Sequence, residues 1–251
     1  MDASWFNREG WQSISCLRTL PLKAEIVRPF SAGSRLLKKL TGRHHWEYLS
    51  STVYRESHSD LAFNPEVAAL PGNCVLSGYF QTPLYFAGIE AKLREEISFR
   101  DRIFDNESAE VAAPLNGAES VAIHVRRTDY IGNPNVAVCD EDYYQRAIAR
   151  MRATLDSPRF FVFSDDPEWC RAHFTQPDFQ IVDCAVSRND ALNDLHLMSL
   201  ASHQIIANSS YSWWGAWLGK KPGQRVLMPS RWFIGIHSPI GEKQCEGWEI
   251  I

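Results

Sequence analysis

Residues 120–130 read SVAIHVRRTDY, an apolar segment that ends abruptly in charged and hydrogen-bonding side chains. Its apolar part, residues 121–125, is rich in β-branched side chains, which is typical of a buried strand in a parallel sheet covered on both faces. In open α/β sheets, ligands bind beyond the carboxyl ends of the strands. We therefore predict a strand that places Arg126, Arg127 and Asp129 at a binding crevice.

The two adjacent arginines indicate an anionic ligand. A guanidinium group is planar and permanently charged, and it donates two parallel hydrogen bonds to phosphate or carboxylate oxygens, so it suits a diphosphate. The alternative interpretation is that Arg126 and Arg127 form salt bridges with Asp129, and that His124 is an ordinary core histidine. This segment alone leaves both interpretations open.

Length and composition limit the classes of protein that the chain can represent. It has 251 residues, 45% hydrophobic and 22% charged, enough for one large domain or two small ones. The net charge of -4 gives no electrostatic basis for binding nucleic acid or an anionic membrane surface, so any phosphate site must be local. Six scattered cysteines without a CxxC pair disfavour a zinc site and a disulfide framework. No apolar segment approaches the roughly 20 residues that cross a bilayer, so we expect a cytoplasmic protein without a transmembrane segment, with peripheral membrane association left open.

Strands and helices alternate after the opening segment, which predicts an α/β fold with a doubly wound parallel sheet. The predicted strands cover residues 159–163, 179–183, 203–207 and 225–229, and the predicted helices lie at 140–155, after Pro167, at 189–200 and at 208–218. The tail, which contains Trp232, Phe233 and Trp248, is expected to pack back on this body.

Residues 109–119 contain a proline, an asparagine and a glycine between periodic segments and therefore predict a linker. A boundary there divides the chain into an N-terminal domain of residues 1–115 and a C-terminal domain of residues 116–251. The aromatic residues early in the chain are expected to pack in a core or an acceptor groove. The other predictions for the N-terminal domain are an amphipathic helix at 35–40, a short strand or loop at 76–81 and a helix at 83–99.

Polar clusters follow two of the other predicted strands. They comprise Ser164 and Asp165 after the strand at 159–163, and Asn208, Ser209, Ser210 and Ser212 after the strand at 203–207. A carboxylate at a strand end can accept from a ribose hydroxyl or a base N–H, and hydroxyl groups at a helix start can hold phosphate oxygens. A plain turn and an ordinary serine N-cap are the alternatives. Because three such loops can converge on one crevice, we predict a nucleotide-diphosphate site.

Asp140 and Asp142 stand at the start of a predicted helix and allow two interpretations. They could form an acidic pair for a divalent metal, but acidic residues at a helix N-terminus are also stabilised by the helix dipole, and we favour this second role. The chain has no GxxxxGK[ST], GxSxG or HExxH motif, which excludes the P-loop, hydrolase and metalloprotease classes that those motifs define.

Four segments resemble a known family. HVRRTDY at 124–130 resembles the HxRRxD motif of inverting α-1,2-, α-1,6- and protein O-fucosyltransferases, and IIANSSYSWWGAWL at 205–218 is similar to a signature of the bacterial and blood-group-H type α-1,2-fucosyltransferases. GYFQ at 78–81 with Tyr85-Phe86, and FVFSDD at 161–166, match two further segments of the same family. The resemblance covers residues 76 to 233.

This resemblance implies a metal-independent, cofactor-free enzyme of the GT-B type, with two Rossmann-like domains. Such an enzyme transfers fucose from GDP-fucose to the 2-hydroxyl of a terminal galactoside with inversion. By position, Arg126 and Arg127 would bind the diphosphate, His124 would support them, and Asp129 would be either the general base or a residue that only orients the arginines. The other implied donor-binding residues are Ser164, Asp165 and Asp194 near the guanosine, and Asn208, Ser209, Ser210 and Ser212 at the diphosphate.

Two departures from the family pattern stand out. Thr128 replaces the glycine usual in HxRRGDY, and the chain lacks the GGLGNQ-type loop with which family members begin, so the N-terminal domain would lack its first βα unit. The expectation is therefore either a truncated sequence or a fucosyltransferase descendant that has lost activity. An α-1,6- or protein O-fucosyltransferase and a non-catalytic protein that binds GDP or a glycan remain as alternatives.

Overall fold

The structure is a computed structural model that describes residues 52–100, 102–184 and 191–251. The predicted amphipathic helix at 35–40 and the aromatic residues before residue 50 lie outside the described residues. A small parallel sheet pairs strand β1 (Val53–Arg55) with strand β2 (Val75–Ser77). The segment predicted as strand or loop at 76–81 therefore contributes only its first two residues to a strand.

A six-stranded, wholly parallel sheet forms the rest of the scaffold. Its spatial order is β5-β4-β3-β6-β7-β8, so the strand order reverses between β3 and β6. The strands are β3 (Ser120–Val125), β4 (Arg159–Ser164), β5 (Phe179–Val182), β6 (His203–Ile205), β7 (Val226–Met228) and β8 (Trp248–Ile250). The predicted α/β class with a doubly wound parallel sheet is confirmed. The reversal next to β3 is the topological switch point at which such sheets bind their ligands.

Helices cover both faces of this sheet. In chain order they are α1 (Glu90–Glu96), α2 (Asn106–Leu115), α3 (Glu141–Arg152), α4 (Pro167–His173), α5 (Ala191–Leu200) and α6 (Ser210–Leu218). Val121, Ile123 and Val125 pack against α3 and α4, whereas Ala122 packs against α2 and α5 on the opposite face. All six residues of β3 are buried, because successive side chains of the strand enter two different cores. Within the described residues, none of the helices is both long and apolar enough to cross a bilayer.

The predicted linker at 109–119 is wrong over most of its length, because helix α2 occupies residues 106–115. Asp105 caps this helix by accepting a hydrogen bond from the Ser108 N–H at 2.9 Å, and Val111 and Leu115 are buried in the core beside α5. Pro114 lies in the last turn, so it removes only a single hydrogen bond, and apolar burial outweighs this loss. The division into two domains remains a prediction.

The predicted single helix at 83–99 is also interrupted. Short 3₁₀ turns at Pro83–Tyr85 and Ala87–Ile89 precede α1, and Phe86 between them has the non-helical angles φ -131° and ψ 12°. At the other end of the chain, the tail supplies β8, a strand that the sequence analysis did not predict. Trp232 and Trp248 are buried there together with the aromatic residues of α6.

Candidate active site

The candidate site lies where β3, β4 and β6 end. In the sheet register, Val125 of β3 is paired with Ser164 of β4, so the residues that follow these two strands emerge side by side. Arg126 thereby stands next to Asp165, 39 positions later in the chain. The loop after β6 lies on the other side of β3, and the polar segments that the sequence analysis singled out converge at the switch point.

Asp165 organises the loop after β3. Its Oδ1 accepts the backbone N–H of Arg127 at 2.9 Å, and its Oδ2 accepts both the backbone N–H of Thr128 at 3.2 Å and the Thr128 hydroxyl at 2.5 Å. The Arg126 guanidinium approaches the same Oδ2 with Nη1 at 3.2 Å. Sequence reasoning assigned this carboxylate to the nucleoside, whereas the structure shows its oxygens engaged by the arginine loop.

Arg126 is held between two carboxylates. Its Nε donates to Asp129 Oδ1 at 2.7 Å, while Nη1 faces Asp165. Partial burial acts to lower the pKa of Arg126, but the hydrogen bond to Asp129 and the charge of Asp165 outweigh burial and raise the pKa above its ordinary value. The guanidinium is therefore a permanent cation whose direction is fixed.

Arg127 turns away from Arg126. Its Nε donates to Asp166 Oδ2 at 3.0 Å, and its guanidinium carbon lies 4.0 Å from the centre of the Trp169 ring. The other oxygen of Asp166 accepts the backbone N–H of Trp169 at 3.1 Å, so Asp166 also caps the N-terminus of α4. The two arginines, which are adjacent in sequence, are thus held by different parts of the structure.

His124 is buried on the face of β3 that contacts α6. Its ring centre lies 5.4 Å from that of Tyr211, and its Nδ1 has no hydrogen-bond partner within the described part of the chain. Burial, reinforced by the charge of Arg126, lowers the pKa of His124 to about 3. The imidazole is therefore neutral at ordinary pH and adds no positive charge to the site.

Asn208 connects loops of the scaffold. Its Nδ2 donates to the carbonyl groups of Val136 at 3.0 Å and Trp232 at 2.9 Å, and its own carbonyl accepts the Tyr130 hydroxyl at 3.0 Å. Burial raises the pKa of Tyr130 to about 12, so this phenol is a donor at all ordinary pH values. The residue predicted to bind the donor thus holds the loops after β3 and β6 together.

The three serines that follow Asn208 occupy different environments. Ser210, the first residue of α6, is exposed. Ser212 is fully buried, and its hydroxyl faces the carbonyl groups of Ala207 at 3.4 Å and Ser209 at 3.2 Å. Ser209 occupies the N-cap position, yet among the described residues its side chain makes no capping hydrogen bond to α6.

The two remaining predicted residues are also buried. The Ser164 hydroxyl accepts the Asp166 N–H at 3.0 Å and so shapes the turn after β4. Asp194 is buried in the first turn of α5, which packs on the same face of the sheet as the His124 side chain. Asp140 caps α3 by accepting from the Tyr143 N–H at 2.9 Å, which is the role favoured from the sequence.

The GYFQ segment is tied to the same network. Glu56 accepts the backbone N–H groups of Tyr79 at 2.6 Å and Phe80 at 3.1 Å, which holds Phe80 at a φ of +47°. Gln81 accepts the Trp232 indole N–H at 3.2 Å with its side chain and the Lys243 ammonium at 2.9 Å with its carbonyl.

Because Trp232 also contacts Asn208, hydrogen bonds run continuously from GYFQ to the loop after β3. The sequence predicted no role in the site for Thr128, Tyr130, Trp232 or Lys243. Thr128 and Tyr130 lie in the segment after β3 and Trp232 lies in the tail that was expected to pack back, whereas Lys243 belongs to no segment that had been singled out.

The strand order that reverses at β3 and the charged loop at this switch point define an α/β protein with its candidate site beyond the strand ends. Residues 36–232 match glycosyl transferase family 11, and the chain belongs to this family. It is 34% identical to an alpha-1,2-colitosyltransferase of Escherichia coli over 70% of this chain and 63% of that protein. It is 39% identical to the O-antigen biosynthesis glycosyltransferase WbnK of Escherichia coli over 47% of this chain and 40% of that protein.

A solved structure is also similar in part. The NodZ alpha-1,6-fucosyltransferase, in crystals soaked with GDP-fucose, aligns with 58% of this chain and 51% of its own, at 18% identity and a TM-score of 0.36. The chain spans less than two thirds of the length of each of the two curated relatives named above.

Proposed function

We propose that this protein transfers L-fucose from GDP-fucose to the 2-hydroxyl of a terminal galactoside, with inversion at the anomeric carbon. The observation that carries the proposal is the Arg126 guanidinium, which two carboxylates hold in place at the switch point. The start of α6, which follows the neighbouring strand β6, lies beside it. The E. coli relative at 34% identity carries α-1,2 transfer in its name and thereby supports the linkage. GDP-fucose contains a diphosphate, the type of group to which an arginine side chain donates two parallel hydrogen bonds.

In this reaction the 2-oxygen of the acceptor attacks the anomeric carbon of fucose, and the bond between that carbon and the β-phosphate oxygen breaks. Negative charge builds up on the departing GDP. Arg126 meets this charge without any proton transfer, because it is a permanent cation and is already oriented before the substrate binds. Ser210 and the backbone N–H groups at the start of α6 would contact the diphosphate, and Asp194 the guanosine.

Asp129 has two candidate roles, that of the general base and that of a residue that orients Arg126. The 2.7 Å hydrogen bond from Arg126 Nε to Asp129 Oδ1 supports the orienting role, because this carboxylate oxygen is already engaged by the guanidinium. The acceptor proton would then pass late in the reaction to solvent or to a phosphate oxygen. The proposed reaction uses no metal, so turnover should survive EDTA.

A second candidate donor is an activated colitose, because an α-1,2-colitosyltransferase is among the relatives. Colitose is fucose without its 3-hydroxyl, so both donors present the same diphosphate to Arg126. A site that hydrogen-bonds the 3-hydroxyl would discriminate strongly against the sugar that lacks it.

The direct test incubates the protein with lactose and either GDP-fucose or GDP-colitose and detects the product by mass spectrometry, with and without EDTA. Linkage analysis of the product separates α-1,2 from α-1,6 transfer. The same assay is run on a form that is extended upstream of Met1. GDP binding without transfer in both forms would instead identify a non-catalytic GDP-binding protein.

A further inference from the structure

Thr128 occupies the position at which the HxRRGDY pattern has glycine, and it uses its side chain. The hydroxyl donates to Asp165 Oδ2 at 2.5 Å, and the backbone N–H of the same residue donates to that oxygen at 3.2 Å. The position does not require glycine, since Phe80 is the one non-glycine residue with positive φ in the described ranges. The threonine therefore adds a donor to the loop without straining its backbone.

Thr128 and Arg126 share one carboxylate oxygen. Asp165 Oδ2 receives the hydroxyl from one side and faces the Arg126 Nη1 at 3.2 Å, while Oδ1 is held by the Arg127 N–H. If the Asp165 carboxylate could rotate freely, it would not hold the guanidinium in one position. The Arg127 N–H, the Thr128 N–H and the Thr128 hydroxyl fix the two oxygens of Asp165, and Asp165 in turn fixes the position of Arg126.

We propose that Thr128 is a positioning residue that sets the direction of Arg126 through the shared Oδ2 of Asp165. The inference rests on the proposed role of Arg126 at the donor diphosphate. Displacing a charged group by about 1 Å at a reacting centre can cost on the order of a hundredfold in rate, so a single loop hydroxyl can affect turnover without contacting substrate.

The test compares Thr128→Val, which keeps the shape but removes the hydroxyl, with Thr128→Ser, which keeps the hydroxyl. We expect kcat to fall about tenfold in the valine variant, as for the loss of one hydrogen bond, with the KM for the acceptor unchanged, and to recover to within about twofold in the serine variant. Thr154→Val is the matched control, because among the described residues the Thr154 hydroxyl bonds only to the carbonyl groups of Arg150 and Met151 in α3. A valine variant with the kcat of the parent protein would overturn the proposal.

A second readout does not depend on turnover. The Arg126 Nε–H signal in a nitrogen-15 NMR spectrum, assigned through Arg126→Lys, should shift in Thr128→Val and return in Thr128→Ser, while Thr154→Val leaves it in place. If the parent protein transfers no sugar, the proposed function fails, but a shifted and rescued signal still supports the positioning role. An unchanged signal in the valine variant contradicts that role whatever the activity.

Discussion

The loops after β3 and after β6 both carry polar residues, yet these residues make opposite kinds of contact. After β3, partly exposed charged side chains pair with one another, as Arg126 does with Asp129 and Asp165. After β6, Asn208 and Ser212 are buried and bond to backbone carbonyl groups. A polar cluster at a strand end thus divides into partly exposed charged residues and buried residues that hold the loop. The first loop concentrates a fixed charge, and the second mainly fixes geometry.

The largest effect is expected from Arg126→Ala. Turnover of GDP-fucose should fall about 10²-fold or more, because the variant lacks the preorganised donor that meets the charge on the departing diphosphate. The matched variant Arg127→Ala should lose less than about tenfold, since its guanidinium is held against Trp169 and Asp166. Steady-state kinetics on both variants give the comparison. Equal losses would mean that the two arginines act as one diphosphate clamp after all.

Asn208→Ala should chiefly destabilise the fold. The change removes both donors to the Val136 and Trp232 carbonyl groups in a buried position, so the free energy of unfolding should fall by about 2 kcal/mol. Urea unfolding measures this loss, and the exposed Ser210→Ala serves as a control that should stay within about 0.5 kcal/mol. A stable Asn208→Ala protein that had lost GDP binding would place Asn208 with the ligand-facing residues.

Local patterns in the sequence predicted the scaffold better than the roles of the side chains. Alternation of apolar strands and amphipathic helices placed β3 to β7 because burial on two faces leaves a clear signature. This pattern missed β8, in which Glu249 interrupts the apolar residues. It also assigned α2 to a linker, because Pro114 was given more weight than the spaced apolar residues.

The partners of Asp165 could not be predicted in the same way. They depend on the register that pairs Val125 with Ser164, and no local pattern contains that register. The burial of Asn208 and Ser212 likewise follows from the packing of α6 and the tail against the sheet.

His124, which lies between the two loops, should make stability depend on pH. Its pKa is about 3 in the folded protein and near its ordinary 6.5 in the unfolded chain. Between these pH values the unfolded state binds a proton that the folded state does not. The free energy of unfolding should therefore fall as the pH drops from about 6.5 towards 3, by up to about 1.4 kcal/mol per pH unit.

His124→Gln should flatten this dependence in urea unfolding experiments at several pH values. The slope will not vanish, because burial also lowers the pKa of His196 to about 4. An unchanged slope in His124→Gln would mean that His124 takes up no additional proton on unfolding, which would contradict a lowered pKa in the folded protein.

The smallest effects are expected from substitutions of two serines in α6. They separate a residue that binds the ligand from one that stabilises the fold. Ser210 is exposed at the start of α6, so Ser210→Ala should weaken GDP binding about threefold in calorimetry and leave stability unchanged. Ser212 is buried with its hydroxyl against backbone carbonyl groups, so Ser212→Ala should lower the free energy of unfolding by about 1 kcal/mol and leave GDP affinity unchanged. If Ser212→Ala weakened GDP binding instead, this assignment would be wrong. Helix α6 would then have to rotate when GDP binds, because the Ser212 hydroxyl is buried against backbone carbonyl groups.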